Sequence, residues 1–334
     1  MTTIKDVAKD AGVSVGTVSN VINGARVSEK KRALVERSIE KLGYEVNTLA
    51  RGLKTQKTDY VVVILPELMN PFFSLMLSSM EKALAAYGKQ IVLCISDGDK
   101  EKEARFINLA KRNKIDGIIG ITYSNIEEYL TDSMAFVSID RHFHSKIPYV
   151  SSDNLKGGRL AAENLYLGGS RNLLFFQTIS SLDNEVRKRR KGFEEYCVEH
   201  GIRYSCAEFS EEQVPSIYTS FDSRNLISRV LKVYIDMEVD GIFASTDHLA
   251  IVICEEVRRM GKRIPEDIQV IGFDGLKLLN CGQPLVSSIE QPVQAIAETC
   301  VDTLMRILNN EEVHNVTDLP VKFVDGGTTR KRMV

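Results

Sequence analysis

Two sets of residues in this chain carry side chains from which a site could be built. The first is Gly12-Val13-Ser14-Val15-Gly16, which fits G-x-S-x-G, the sharp turn that presents a nucleophilic serine in one class of hydrolases. The second is a series of polar residues that each follow an apolar run: Asp97 after IVLCIS, Asp140 and Arg141 after AFVSI, Thr246 and Asp247 after GIFAS, and Asp274 after VIGF. Carboxylates accept hydrogen bonds and a guanidinium donates them, so a convergence of these groups suits a small hydroxyl-rich molecule. Each residue alone has a simpler use as the cap of a following helix. His142 and His144 look like a metal pair at i, i+2, yet no nearby cysteine or third histidine completes a zinc set. No metal or cofactor is expected.

The hydrolase reading fails on context, because a nucleophile elbow needs a strand running into its serine. Ile4, Val7, Ala8 and Ala11 instead follow the i, i+3, i+4, i+7 spacing of one helix face. Gly12 supplies the permissive backbone of a turn, and Ser14 is the preferred kind of N-cap for a helix carrying Val18, Val21 and Ile22. Two short helices joined by such a turn make a helix-turn-helix. A third helix is expected from about Ser28, with Leu34, Val35, Ile39 and Leu42 inward and Gly43 as its stop. The basic segment EVNTLARGLKTQKTD follows, with Asn47 placed to cap one more short helix.

From residue 59 the pattern turns regular. YVVVILPE, QIVLCIS, DGIIGIT and AFVSID read as buried strands, and FFSLMLSSMEKALAAYG and residues 100–113 as helices. After about residue 155 the alternation restarts with RLAAENLYLGG, NLLFFQ, RRKGFEEYCVEH, GIFAST and QVIGFD. Strands alternating with helices indicate α/β architecture with parallel sheets, and two such blocks indicate two similar lobes with a crevice between them. Neither G-x-G-x-x-G after a strand nor G-x-x-x-x-G-K-[ST] is present, which argues against a nucleotide-dependent enzyme.

Together the segments TIKDVAKDAGVSVGTVSNVING and VSEKKRALVERSIEKLGYEVNTLARGL resemble the head of the lactose/galactose repressor family of bacterial transcription regulators. The resemblance implies a three-helix head and hinge helix, followed by a two-lobed periplasmic-binding-protein-like body. In the family the second helix lies in the major groove. The resemblance therefore places Val15, Gly16 and Asn20 at base-reading positions, Thr17 and Ser19 near phosphates, and Ser14, Asn23, Asn47, Ala50 and Arg51 on the DNA-facing side. Leu53 matches the residue that wedges into the minor groove and kinks the duplex. Asn20 stands where many members carry Arg, and Asn favours adenine where Arg favours guanine. Val46 replaces the proline usual before the hinge helix. In the body, NPFF places Phe72 and Phe73 at the mouth of the cleft. Arg189 matches the ligand-clamping arginine, Phe221 the aromatic wall and Asp274 the polar anchor of the second lobe. Thr246 stands where many relatives have Asn.

Expected boundaries are 1–46 for the head, 47–58 for the hinge helix and linker, and 59–334 for the body. The N-lobe takes about 59–157 and 288–318, and the C-lobe about 158–287 and 319–334. Residues 1–58 hold 11 Lys and Arg against 6 Asp and Glu, whereas the remainder holds 32 against 39, so only the head is suited to a polyanion. The charged start MTTIKDVAKD is not a signal peptide and no apolar run reaches membrane-spanning length, so a cytoplasmic protein with no membrane partner is expected. The six cysteines form no C-x-x-C and read as buried thiols. The expected partners are a palindromic operator, a second copy of the chain in a homodimer, and a small effector, with a sugar or sugar acid preferred. A dimer is favoured over a tetramer because no leucine-heptad tail follows. A nucleobase between Phe73 and Phe221 and a phosphorylated carrier protein as effector remain as alternatives. A transport-type sugar-binding protein lacks the basic head, and an enzyme would need a catalytic base beside a nucleophile.

Overall fold

The computed structural model describes residues 2–22, 25–44, 58–131, 134–143, 146–179, 185–210, 221–277 and 282–331. They fall into two compact units, 1–58 and 59–334.

In the first unit, helix α1 (Ile4–Asp10) opens with a capping box. Thr3 Oγ1 accepts from the Asp6 amide and the Asp6 carboxylate accepts from the Thr3 amide. Gly12 then takes φ 63°, and the Val13 amide closes on the Ala8 carbonyl at 3.0 Å, which turns the chain into α2 (Val15–Ile22). Helix α3 (Glu29–Leu42) ends at Gly43 in the left-handed conformation. Val7, Ala8, Ala11, Val18, Val21 and Val35 form the shared core. Asp10 ties α1 to α3 by accepting from Ser38 Oγ at 2.8 Å and from Lys41 Nζ at 2.7 Å. Leu34, expected to point inward, is instead exposed. The buried stripe of α3 runs through Val35, Ser38, Ile39 and Leu42, and Leu34 sits beside it on the outer flank.

The body is built from two six-stranded sheets. The first contains β1 (Tyr60–Leu65), β2 (Gln90–Ile95), β3 (Gly117–Gly120), β4 (Phe136–Ile139), β5 (Tyr149–Ser152) and β11 (Val316–Leu319), in the order β11-β5-β4-β3-β1-β2, all parallel. The second contains β6 (Asn172–Ile179), β7 (Arg203–Ser210), β8 (Gly241–Ala244), β9 (Gln269–Asp274), β10 (Ser288–Glu290) and β12 (Lys322–Val324), in the order β12-β10-β9-β8-β6-β7, with β12 antiparallel to β10. Helices α4 (Pro71–Ala86), α5 (Lys100–Arg112) and α10 (Val293–Leu308) cover the first sheet. Helices α6 (Asn154–Leu167), α7 (Arg187–Glu199), α8 (Phe221–Asp236) and α9 (Asp247–Arg259) belong with the second.

The strands read as continuous apolar runs because they bury both faces. Val61, Val63 and Leu65 of β1 point into one core with Met76, Met80 and Leu304, while Val62 and Ile64 point into another with Ile107 and Phe136. In the second sheet Leu174 and Phe176 face one core, Leu173 and Phe175 the other.

The chain crosses between the lobes after β5, after β10 and between β11 and β12. Two expected boundaries move. The first crossover precedes Asn154, not residue 158, because α6 packs against α7 and places Ala161 and Leu165 in the C-lobe core. Residues 288–290 belong to the C-lobe, because they pair with β9 and β12, and the chain returns to the N-lobe only with α10.

Helices α6 and α7 meet backbone to backbone. A Cβ on Gly158 would run into the Arg189 carbonyl, and one on Gly192 into the Leu155 carbonyl. Gly158→Ala or Gly192→Ala should therefore force the pair apart and cost about 1–3 kcal/mol of body stability. Calorimetry should show the loss in the unfolding of the body, with the head transition unchanged.

Candidate functional site

The carboxyl ends of the strands converge where the two lobes face each other, the usual ligand position of open parallel sheets. Asp140 follows β4, Asn154 opens α6, Arg189 lies in the first turn of α7, Ser245 and Asp247 follow β8, and Asp274 ends β9. Arg189 is buried at the centre. Its Nε donates to Asn154 Oδ1 at 2.7 Å, its Nη1 to the Ser245 carbonyl at 2.6 Å, and its guanidinium lies 3.6 Å from the centroid of the Phe273 ring. Such stacking leaves the planar group fixed in orientation.

The three carboxylates are held by the fold. Asp247 accepts from the Leu276 amide at 2.6 Å and from Ser288 Oγ at 2.5 Å. Asp274 accepts from Gln291 Nε2 at 2.7 Å, and Gln291 Oε1 accepts in turn from Ser152 Oγ at 2.8 Å, so a short relay links the two lobes. Asp140 accepts from Ser151 Oγ at 2.6 Å and keeps some exposed surface. Asp140 and Asp274 take positive φ values of 56° and 127°, unfavourable for residues with a Cβ and tolerated where surrounding structure over-determines them.

Burial dominates the electrostatics. It pushes Asp274 above the carboxylate range, and repulsion from Asp247 adds to it. Asp247 and Asp140 are also raised by burial, against the pull of Arg189. Arg189 is lowered by burial and sustained by Asp274 and Asp140. One guanidinium thus faces three carboxylates.

The other expected effector residues make different contacts. Phe72 and Phe73 pack edge to face, 5.5 Å between centroids, inside the N-lobe core. Asp97 is exposed and pairs with Lys102. Arg141 turns away from Asp140 to the Ser124 carbonyl and Thr122 Oγ1, with Phe143 beneath it, and so braces the loop after β3. Thr246 caps α9 through the Leu249 amide at 3.2 Å. Phe221 is the first residue of α8, and its side chain lies outside the described residues. His142 packs on Tyr149, while His144 lies outside the described residues. Asn154, Gln291 and Phe273 were not anticipated. Asn154 follows a four-residue strand and Gln291 a three-residue one, too short to leave a periodic signal.

In the head, Ser14 is a cap and not a nucleophile: its Oγ accepts from the Thr17 amide at 3.2 Å and lies 3.0 Å from Thr17 Oγ1. Val15, Gly16 and Asn20 are exposed and Thr17 and Ser19 half-buried, while Val18 and Val21 bind α2 to the head core. Asn23, Asn47, Ala50, Arg51 and Leu53, with the hinge helix expected around them, lie outside the described residues.

A helix-turn-helix head joined to a two-lobed body with a polar interlobe site defines a ligand-responsive regulator architecture. Residues 58–326 match the family of periplasmic binding proteins and sugar binding domains of the LacI family, and residues 3–47 match the bacterial regulatory proteins of the lacI family. The chain belongs to the LacI family of bacterial transcriptional regulators. It is 31% identical to the ribose operon repressor of Halalkalibacterium halodurans, over 99% of this chain and 98% of that protein. It is also 31% identical to the sucrose operon repressor of Pediococcus pentosaceus, over 97% and 98%. Its fold is similar to that of the lac repressor dimer bound to operator and the anti-inducer ONPF, with TM-score 0.85 and 23% identity, covering 99% of both chains. A periplasmic binding protein/LacI transcriptional regulator from Alkaliphilus metalliredigens, complexed with D-xylulofuranose, matches with TM-score 0.69 and 28% identity over 82% of this chain and 100% of that one.

Removing the central cation should leave uncompensated buried carboxylates. Arg189→Met should lower body stability by about 3–5 kcal/mol at neutral pH. The three aspartates have raised folded-state values, so their burden is absent at acidic pH and grows as pH rises through those values. Denaturant unfolding of Arg189→Met should therefore approach wild-type stability on acidification.

Proposed function

We propose that this chain is a sequence-specific repressor of carbohydrate-utilisation genes, whose operator affinity is switched by a small sugar or sugar acid bound between the lobes. The observation that carries the reading is the interlobe constellation of Arg189, Asn154, Asp140, Asp247 and Asp274, with donors and acceptors drawn from both lobes. Such a ligand contacts both lobes at once, so it can favour one lobe arrangement over another, and differential affinity is what an allosteric switch requires. The repressor names of the relatives and the bound sugar of a solved neighbour agree with this reading.

On the DNA side, Val15, Gly16 and Asn20 read bases in the major groove, with Ser14, Thr17, Ser19 and Asn23 beside them at the backbone. Asn47, Ala50, Arg51 and Leu53 form the hinge that enters the minor groove. A palindromic operator calls for two heads, so the working unit is a homodimer. Met69, Leu75 and Leu93, exposed on the N-lobe around α4 and edge strand β2, supply apolar surface for a second copy. Lobe movement at that interface then alters the hinge pair. The chain acts as a regulator and not an enzyme, and it works in the cytoplasm beside its operator. Among the described residues no helix is long and apolar enough to cross a membrane.

Selection of sheared genomic DNA with purified protein, with and without cell extract, should enrich a few short palindromes beside carbohydrate genes. No enrichment under either condition would overturn the reading. On the selected operator, Leu53→Ala should weaken binding by about ten-fold or more through the lost kink, with ligand affinity unchanged.

A further inference from the structure

A second set of interlobe contacts lies beside the polar site. The amide of Glu185, just before α7 of the C-lobe, donates to the carbonyl of Asp140, just after β4 of the N-lobe, at 3.0 Å. The buried Glu185 carboxylate accepts from the hydroxyl of Tyr149 on β5, again across the lobes. Lys188, in the first turn of α7, closes on the same carboxylate. Asp318 on β11, the strand paired with β5, lies within electrostatic reach of Lys188. Tyr149 is itself held in place: its amide donates to the Asn315 carbonyl at 3.0 Å, and His142 packs edge-on to its ring at 5.7 Å between centroids. The set is layered, with Glu185 and Tyr149 buried and Lys188 and Asp318 exposed. It stands beside two of the crossovers, where the Asp153 amide donates to the Leu319 carbonyl at 2.8 Å.

We propose that Glu185, Lys188, Tyr149 and Asp318 form a clasp that holds the two lobes in the present arrangement and so sets the resting balance between lobe arrangements. Each lobe has apolar cores of its own, so what these contacts fix is the placement of one lobe against the other. The chemistry suits that task. Burial raises the Tyr149 phenol and the charge of Glu185 raises it further, so the hydroxyl keeps its proton and goes on donating. Burial alone would lower Lys188, yet it stands above the ordinary lysine value because Glu185 bonds to it, with Tyr149 and Asp318 adding to the effect. Hydrogen bonds to an ionised acceptor are the stronger kind. The clasp is tied to the polar site through the backbone: Asp140 gives its carbonyl to Glu185 while its carboxylate belongs to the site, and Lys188 directly precedes Arg189. A lobe movement that alters one therefore alters the other, which is how contacts away from a ligand bias its binding.

Hydrogen exchange of the full chain, resolved to single amides by fragmentation mass spectrometry, tests the clasp with neither effector nor operator present. The Glu185 amide exchanges when its bond to Asp140 opens, so its rate reports the parting of the lobes. Tyr149→Phe, a change in the opposite lobe that keeps the ring, should speed exchange at Glu185 by about ten-fold. Lys188→Met should do likewise, while Lys188→Arg, which keeps the charge, should stay near the wild-type rate. The amides of Val63 in β1 and Ile242 in β8, inside the two sheets, should exchange as in the wild type throughout. An unchanged Glu185 rate in Tyr149→Phe overturns the clasp, because the Lys188 variants alone do not distinguish parted lobes from a frayed start of α7. Equal acceleration at Val63 and Ile242 overturns it as well, since the lobes themselves would then be loosening and not their junction.

Discussion

The buried guanidinium of Arg189 organises the interlobe site of this protein. Arg189 is held by Asn154 from the start of α6, by the Ser245 carbonyl beyond β8, and by the ring of Phe273 on β9. Around it lie carboxylates contributed by both lobes, Asp140 from one and Asp247 and Asp274 from the other. A buried guanidinium is costly to desolvate, so it persists only where partners satisfy its fork and its charge. The chain meets that demand by bringing strand ends from both sheets to one place. The close crossing of α6 and α7 at Gly158 and Gly192 sets the depth at which Arg189 enters.

The same geometry explains how a binding event can become a movement. Asp247 and Asp274 repel one another and Arg189 opposes that repulsion, so the site favours proton uptake or a ligand that supplies donors. Gln291 joins Asp274 to Ser152 near two of the three lobe crossovers, which places a hydrogen-bonded link where the lobes would pivot. Leu75 on α4 and Leu93 on edge strand β2 are exposed apolar side chains of the N-lobe. Differential contact with two lobes, and not tight binding as such, is what shifts a conformational equilibrium.

Much of this was legible in the sequence, for identifiable reasons. The run YVVVIL announces a strand because both its faces are buried, and the spacing of Val7, Ala8, Val18 and Val21 announces the head because each helix has one apolar stripe. Asp140, Asp247 and Asp274 could be picked out as polar residues closing apolar runs. The errors came where local pattern carries no direction. Arg141 is adjacent to Asp140 yet points to the opposite side, since successive residues leaving a strand diverge. Leu34 fits the helical period loosely and falls just outside the buried stripe. Asn154 and Gln291 follow strands of four and three residues, and their importance arises only from tertiary contact.

The measurement that tests the account most directly is operator affinity, by fluorescence anisotropy on a selected palindrome, for wild type and Arg189→Lys with and without the effector. Lysine keeps the positive charge among the carboxylates but lacks the planar fork and its stacking. The account predicts that both proteins bind the operator comparably without effector, while only the wild type changes affinity when the effector is added. An Arg189→Lys protein that responds to effector as the wild type does would contradict the claim that this guanidinium couples the cleft to DNA.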